Sequence, residues 1–220
     1  KGEYRGVANG MPNPQQDDYK AMSAPNVQEK STDSPLRWMM ASEVAFLRAE
    51  GAMRGWTAEM GGTAEEFYNK GIELSFLENG LSADAAARYA ADETSKPTDF
   101  TDVSTANTKY NISALGKITI KWNAGASEEE QLERIITQKW IAMFPNGTEA
   151  WSEFRRTGYP LIFPVRSNYP TSGVDTNKQI RRMVFPQSEY SNNGAAVQEA
   201  VKLLGGPDNG GTKLWWDKKN

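Results

Sequence analysis

Two glutamates in one predicted helix have the type and spacing for acid–base chemistry. Glu43 and Glu50 stand seven residues apart, so on a helix they share one face at about 10.5 Å axial separation. An inverting glycosidase places its two carboxyl groups about 6.5 to 9.5 Å apart, which makes this pair a candidate acid and base. The alternative is structural, because glutamates on a mostly buried face usually accept hydrogen bonds from a neighbouring helix or from arginine. We favour the structural role.

The other reactive groups also favour structural roles. Arg155-Arg156 ends a predicted helix, where it could bind an anion, but cations there also complement the helix dipole and cap its carbonyls. Asp17-Asp18, and Asp208 with nearby Asn, could ligate Ca²⁺, although the sequence lacks the calcium-loop pattern. No Cys and no His are present, which excludes thiolate and imidazole metal sites, Ser-His-Asp triads and Cys nucleophiles. We therefore predict no cofactor, with structural Ca²⁺ as a weakly indicated exception.

The net charge and the lengths of apolar runs exclude further classes of protein. The 220 residues carry a net charge of -3 and no cluster of basic side chains, so nucleic acid is not an expected partner. The sequence has no apolar run of the length that a membrane-spanning helix needs and no export leader. It begins with Lys1, and we expect an upstream piece to be missing.

Aromatic side chains are abundant, with 7 Trp, 8 Tyr and 8 Phe. Flat rings can stack on the apolar faces of sugars, while Asn, Asp, Gln and Arg hydrogen-bond the hydroxyls. Trp38, Trp140 and Trp151 lie on helical stripes and are predicted to be core residues. Three tryptophans lie outside the stripes, namely Trp122, Trp215 and Trp216.

The apolar spacing predicts helices in pairs. Ser34 and Pro35 are suited to start a helix over 35–54, and a capping box at 63–66 starts a second one that Asn79-Gly80 ends. Ser82 caps a third helix to about Glu93. The predicted buried residues of all the pairs are Phe46, Leu47, Ile72, Ile136, Trp140 and Trp151.

A second hairpin is predicted over 127–158. A capping box at 127–130 starts its first helix, Pro145-Asn-Gly147 breaks it, and Thr148 caps the next. Residues 116–123 alternate apolar and polar side chains but support at most a strand-like excursion. After Pro160 we predict loops and one short helix near 195–204.

The fold class is therefore mainly α, with tetratricopeptide-like helix hairpins, long loops on one face and little β. We assign 1–220 to one helical domain: a loop-rich lead-in at 1–34, a hairpin and third helix at 35–94, a second hairpin at 127–158 and a loop-rich tail at 159–220. Such arrays generally need at least three units. We expect this chain on its own to expose an apolar helical face, which a missing part of the protein would cover. The alternative is that the long loops of this chain cover that face.

Six strings of the sequence resemble one family in the correct order. QKWIAMFPNGTEAWSEFRRTGYP, RRMVFPQSEYSNN and TKLWWDKKN look like the C-terminal signature of the SusD/RagB family. PLRWMMASEVAFLRAEGAMRGW, followed by AEEFYNKGIE, resembles the helix pair that precedes this signature, and YRGVANG is similar to the loop before it. The resemblance covers nearly the whole chain.

The resemblance implies a surface-exposed lipoprotein of the Bacteroidetes outer membrane. Such proteins capture glycans or other nutrients, pass them to a SusC-like TonB-dependent transporter, and are not enzymes. The lipidated Cys, the signal peptide and the N-terminal half of the family pattern are absent, so the chain looks like a C-terminal portion. We expect the missing N-terminal half to be a further partner and the lipid anchor to lie upstream. The family's ligand residues follow no motif that can be placed on this sequence.

We place the ligand contacts in loops, at 4–19 and around Trp122, because helix-stripe aromatics are committed to packing. Two other functions stay open: a helical glycoside hydrolase that uses Glu43 and Glu50, and an intracellular tetratricopeptide-type adaptor. The predicted ligand-binding residues are Tyr4, Arg5, Asn9, Tyr19, Trp122 and Asn123.

Overall fold

A computed structural model describes residues 5–9, 22–23, 37–102, 105–165 and 173–219. In this part of the chain no helix is long and apolar enough to cross a membrane. The helices are α1 (Ala41–Met53), α2 (Thr57–Met60), α3 (Ala64–Glu78), α4 (Ala83–Ala90), a 3₁₀ helix (Thr105–Tyr110), α5 (Glu128–Ala142), α6 (Gly147–Thr157) and α7 (Gln187–Leu203).

The chain divides into two compact units. The helical unit comprises Val27–Thr98 and Leu115–Ile162 and contains α1 to α6. The loop-rich unit comprises Lys1–Asn26, Asp99–Ala114 and Phe163–Asn220 and contains the 3₁₀ helix and α7. The mainly helical fold class is confirmed, since β structure in the described residues is limited to one antiparallel bridge between Phe100 and Ile112.

Helix α1 starts later than the sequence predicts. It begins at Ala41, after an extended Met40 whose side chain makes no cap, while Ser34 and Pro35 lie outside the described residues. The cap comes from another helix: the Glu78 carboxylate accepts hydrogen bonds from the Ser42 backbone N–H at 3.0 Å and from the Ser42 hydroxyl at 2.6 Å. A cap supplied from 36 residues away leaves no local signal in the sequence.

Helix α3 begins as predicted. The Thr63 hydroxyl accepts a hydrogen bond from the Glu66 backbone N–H at 3.2 Å, and the Glu66 carboxylate accepts one from the Thr63 N–H at 2.7 Å, so the capping box is confirmed. Ser42 lies in the first turn of α1 and Glu78 in the last turn of α3. The hydrogen bond between them therefore indicates that the two helices are antiparallel. Residues 57–60 form α2 between them, which the sequence analysis did not predict.

The apolar core lies in the helical unit. The Phe46 ring meets the Tyr68 ring edge-on at a centroid distance of 6.2 Å, and Tyr68 also packs on Trp122 at 5.2 Å. A Cβ at Gly71 would lie 2.7 Å from the Phe46 ring, so this glycine allows α1 and α3 to approach closely. Helix α5 adds Ile135 and Ile136, both fully buried.

Two predicted caps differ in detail from the structure. The Ser127 hydroxyl accepts a hydrogen bond from the Glu130 N–H at 3.3 Å, but the Glu130 carboxylate accepts one from Arg134 at 2.9 Å instead of completing the capping box. Thr148 is not the cap of α6. The Asn146 side chain caps that helix by accepting from the Glu149 N–H at 3.3 Å, because the helix begins at Gly147.

Burial confirms three of the six predicted core residues. Phe46, Ile72 and Ile136 are buried, whereas Leu47 is 39% exposed and Trp140 is 42% exposed. Both exposed residues follow directly on buried ones, and at Trp140 the buried position is occupied by the preceding Lys139. Trp38, also predicted as core, is 85% exposed because residues 37–40 are not helical.

Trp151 is half-buried, and the Arg155 guanidinium lies 3.6 Å from its ring centroid. This arrangement is a cation–π contact on one helix. The prediction of a buried Trp151 is therefore only partly right.

Two charged centres join segments of the loop-rich unit. The buried Arg181 guanidinium donates to both Asp217 oxygens, at 2.7 and 2.5 Å. Helix α7 of the loop-rich unit extends from 187 to 203 and is longer than the predicted helix at 195–204. The added residues form a helical segment that joins the rest across a kink at Asn193, whose φ is -143°.

Asp208 is the second charged centre of this unit. Its carboxylate accepts hydrogen bonds from Arg182, from the Tyr190 hydroxyl at 2.7 Å and from the Phe185 N–H at 3.2 Å. These donors engage both carboxylate oxygens and give Asp208 a structural role in this unit. Asp17 and Asp18 lie outside the described residues.

Candidate functional site

The candidate acid–base pair is bound within the helical unit by cations. Glu50 accepts hydrogen bonds from both terminal nitrogens of Arg156, at 2.7 and 2.6 Å, and from Arg54 Nε at 2.9 Å. Burial alone would raise the pKa of Glu50, but the hydrogen bonds and charges of Arg156 and Arg54 outweigh it and hold this pKa below the ordinary value. Glu50 is thus a structural ion-pair partner, as the structural alternative predicted.

Glu43 lies beside a buried lysine. The Glu43 carboxylate is 3.8 Å from Lys139 Nζ, which also contacts Glu153 at 2.9 Å and Glu149 at 3.3 Å. Burial raises the pKa of Glu43, Lys139 opposes the rise, and the charges of Glu149 and Glu153 add to it. With 7% of its surface exposed, Glu43 has little access to a substrate.

A cavity of about 740 Å³ opens between α3 and α4. Helix α3 lines it with Glu65, Asn69 and Glu73, which are spaced four residues apart and therefore share a helix face. Helix α4 contributes alanines, whose small side chains leave the space open, and Lys121 and Trp122 complete the lining. We call this space the α3–α4 groove.

Several charges of the α3–α4 groove have partners within the protein. Lys70 pairs with Glu73 at 3.0 Å, and Glu93 accepts a hydrogen bond from Lys121, which raises the pKa of Lys121. The groove thus offers amide, carboxylate and ammonium groups for hydrogen bonding with a hydroxyl-rich ligand. Its volume is in the usual range for ligand pockets, about 300 to 1,000 Å³.

The sequence analysis did not identify the groove. The signals were available: the four-residue spacing of Glu65, Asn69 and Glu73, and alanines at 83, 87 and 90 on one face of the next helix. Such patterns also occur on ordinary solvent-exposed helices, so the spacing alone does not distinguish a groove from a surface.

The predicted ligand residues fall into three groups. Tyr4 and Tyr19 lie outside the described residues. Arg5 and exposed Asn9 belong to the loop-rich unit, where the Arg5 backbone N–H donates to the Ser23 hydroxyl at 2.9 Å and the Arg5 side chain donates to the Thr101 carbonyl at 3.2 Å. Arg5 therefore fastens its loop to two other segments of that unit.

The third group, Trp122 and Asn123, belongs to the helical unit. Trp122 was expected to lie outside the packed core, and this expectation is wrong: the side chain is 7% exposed and packs against Tyr68. The periodicity missed it because a residue between helices can enter a core without a helical pattern. Asn123 is exposed, and its side-chain oxygen accepts a hydrogen bond from the Gly125 N–H at 3.0 Å.

Metal ligands are not gathered in the described part of the chain. No group of three or more Asp or Glu side chains there has the arrangement to hold a metal ion.

The family assignment follows from comparison with known proteins. The profile of the SusD-like family, described as "Susd and RagB outer membrane lipoprotein", matches residues 1–217. The chain belongs to the SusD-like family. This confirms the resemblance drawn from the sequence strings. No curated protein matches the chain.

Solved structures of SusD homologues share the fold. A chitin-binding SusD homologue from Flavobacterium johnsoniae is 44% identical over 99% of this chain, with a TM-score of 0.88. A SusD homologue from Bacteroides vulgatus is 37% identical over 99% of the chain, with a TM-score of 0.87, and a SusD-like protein from Bacteroides thetaiotaomicron is 47% identical over 83%, with a TM-score of 0.74. The chain spans 44%, 43% and 37% of these three proteins, less than half of each.

Proposed function

We propose that the protein containing this chain captures a glycan at the outer surface of the outer membrane. The observation that carries the proposal is the match to a chitin-binding SusD homologue, which is 44% identical over 99% of the chain. The family description as outer membrane lipoproteins supports the location. It also argues against the intracellular adaptor considered from the sequence.

Capture without cleavage is supported by the state of the two candidate catalytic glutamates. A general acid or base must reach the proton that it transfers, within hydrogen-bond distance of the substrate. Glu50 is engaged by Arg156 and Arg54, and Glu43 is buried beside Lys139. These contacts disfavour the glycoside hydrolase alternative.

The ligand contacts are proposed in the loops and in the α3–α4 groove. The loop contacts are Tyr4, Arg5, Asn9 and Tyr19, which together supply flat rings and groups that hydrogen-bond hydroxyls. The groove adds the exposed part of Trp122 and, beside it, Asn123. Because Trp122 is a core residue, its contribution is restricted to the part that lines the groove.

Binding of chitin oligosaccharides to the full-length protein tests the proposed loops. Isothermal titration calorimetry would compare the wild type with the triple variant Tyr4→Ala, Asn9→Ala and Tyr19→Ala. We expect the triple variant to lose at least about tenfold in affinity, since stacking on an aromatic ring contributes about 0.5 to 1.5 kcal/mol per ring beyond area burial. Trp38→Ala is the control, an exposed tryptophan outside the proposed contacts, and should bind like the wild type. Equal affinity of the triple variant and the wild type would move the ligand site out of these loops.

Delivery to a SusC-like TonB-dependent transporter is the second part of the proposal. It rests on the family membership. Affinity purification of the full-length protein from detergent-solubilised outer membranes should recover a TonB-dependent transporter in stoichiometric amount. Recovery of the protein without any transporter, under conditions that preserve a known SusD-like complex, would contradict this part and leave the glycan-binding part standing.

A further inference from the structure

An ionic cluster with more acidic than basic groups lies where α1, α5 and α6 pack together. Its cations are Lys139, Arg156 and, at the edge of the cluster, Arg54, which forms an ion pair with Glu50. With this arginine the cluster contains four carboxylates and three cations, so one negative charge is in excess when all groups are ionised. The carboxylates of this α1–α5–α6 cluster are Glu43, Glu50, Glu149 and Glu153.

The cations are shared unequally among the carboxylates. Arg156 donates hydrogen bonds from two nitrogens to Glu50 and one to Glu153 at 2.6 Å. Lys139 Nζ lies 2.9 Å from Glu153, 3.3 Å from Glu149 and 3.8 Å from Glu43. Glu43 therefore has the longest of the three contacts with a lysine that two other carboxylates also share.

Burial makes the excess charge costly. Lys139 is 1% exposed, Glu153 5% and Glu43 7%, whereas Glu149 is more exposed and keeps part of its hydration. A buried carboxylate without its own counter-charge tends to bind a proton instead of remaining ionised. Glu43 is the member for which this argument is strongest.

We propose that Glu43 holds a proton in the folded protein at a pH where an exposed glutamate has lost it, and that the helical unit is therefore stabilised as the pH falls towards mildly acidic values. The charged groups that face Glu43 are Lys139 from α5 and Glu149 and Glu153 from α6. The Met40 backbone N–H, just before α1, donates a hydrogen bond to it. From α3, the Glu78 carboxylate binds the adjacent Ser42.

The direction of the pH effect follows from proton linkage. The pKa of Glu43 is raised first by burial and then by repulsion from Glu149 and Glu153, against the opposing effects of Lys139 and the Met40 backbone. A carboxyl group with a raised folded-state pKa contributes stability that is fully present below its unfolded pKa, about 4.3, and is lost as the pH rises through the folded pKa. The pKa of Glu50 is lowered, so its contribution is lost in a separate window below the ordinary value.

Urea unfolding of the full-length protein at several pH values tests the proposal. As the pH rises from about 4.3 through the folded pKa of Glu43, one linked proton changes the unfolding constant by up to about tenfold per pH unit. In Glu43→Gln this part of the slope should disappear, and at neutral pH the variant should unfold no more readily than the wild type. Glu73→Gln, a half-exposed partner of Lys70, is the matched control and should keep the wild-type slope. An unchanged slope in Glu43→Gln, or tenfold easier unfolding at neutral pH, would overturn the proposal.

A second measurement keeps the proposal testable if Glu43→Gln does not fold. Carbon-13 NMR of glutamate side-chain carboxyls would follow their titration in Glu133→Gln, because burial also raises the pKa of Glu133 and its signal must be removed. One remaining resonance should titrate above the ordinary glutamate range. If every remaining glutamate titrates within or below that range, Glu43 is ionised and the proposal is wrong.

Discussion

The helical unit and the loop-rich unit both bury ion pairs, but they differ in the rest of their interiors. In the helical unit, rings and aliphatic side chains such as Phe46, Tyr68 and Ile135 form one buried cluster. In the loop-rich unit, Arg181 and Asp217 are buried as an ion pair, and Asp208 joins segments by hydrogen bonds. A helix pair can bury a continuous apolar stripe, whereas irregular backbone needs specific polar partners for its N–H and C=O groups.

The largest expected effect in the helical unit is that of Phe46→Ala. The side chain is 1% exposed, and such a truncation leaves a cavity that costs about 3 to 5 kcal/mol of the free energy of unfolding. Urea unfolding monitored by hydrogen exchange of the α1 and α3 amides would measure it. The neighbouring Leu47→Ala is the control, since Leu47 is 39% exposed and should cost far less. Equal losses in the two variants would refute the assignment of the core face of α1.

A comparable loss is expected in the loop-rich unit from Asp217→Ala. The variant leaves the Arg181 guanidinium, 3% exposed, without this carboxylate, and breaking a buried pair in this way costs about 3 to 5 kcal/mol. Hydrogen exchange of residues 173–219 is the local readout. The double variant Arg181→Met with Asp217→Leu should recover most of the loss, because it removes both buried charges together. A double variant as unstable as the single one would show that the ion pair is not what holds this segment.

An intermediate effect is expected at the close approach of α1 and α3. In Gly71→Ala the new Cβ would lie 2.7 Å from the Phe46 ring, and overpacking of this kind costs about 1 to 3 kcal/mol. Gly147→Ala is the matched control, because nothing lies within 4 Å of a Cβ at that position. Thermal unfolding of both variants distinguishes a steric effect from a general cost of replacing glycine.

The smallest effect concerns the cap of α6. Asn146→Ala removes the side chain that accepts from the Glu149 N–H, and loss of such a cap costs about 1 kcal/mol. Thr148→Ala should change the free energy of unfolding by less, because Thr148 lies inside the helix. The reverse order of the two effects would restore Thr148 as the cap.

Local features of the fold were predictable from the sequence, whereas contacts between distant residues were not. The Thr63 capping box and the buried Phe46, Ile72 and Ile136 were predictable because caps and apolar stripes are local patterns. The cap of Ser42 by Glu78 was not, because its partners are 36 residues apart. The same limit applies to Arg181 and Asp217, also 36 residues apart, whose pairing has no periodic signature.

For the candidate site, the sequence predicted the structural use of Glu50, because buried carboxylates need hydrogen-bond donors. It also predicted a structural role for the arginine pair, but from the helix dipole, whereas Arg156 binds Glu50 and Glu153. It did not predict the burial of Trp122, which reaches the core from a connecting segment. The α3–α4 groove depends on how two helices pack, and spacing on each helix separately does not determine that packing.

The central functional claim is glycan capture without cleavage, and one combined measurement tests it directly. The full-length protein would be titrated with chitin oligosaccharides by calorimetry, and the same mixture would be analysed by chromatography after prolonged incubation. We predict saturable binding and an unchanged oligosaccharide, with Glu43→Gln giving the same result as the wild type. Shortened oligosaccharides that depend on Glu43, or no binding of the chitin oligosaccharides, would contradict the account.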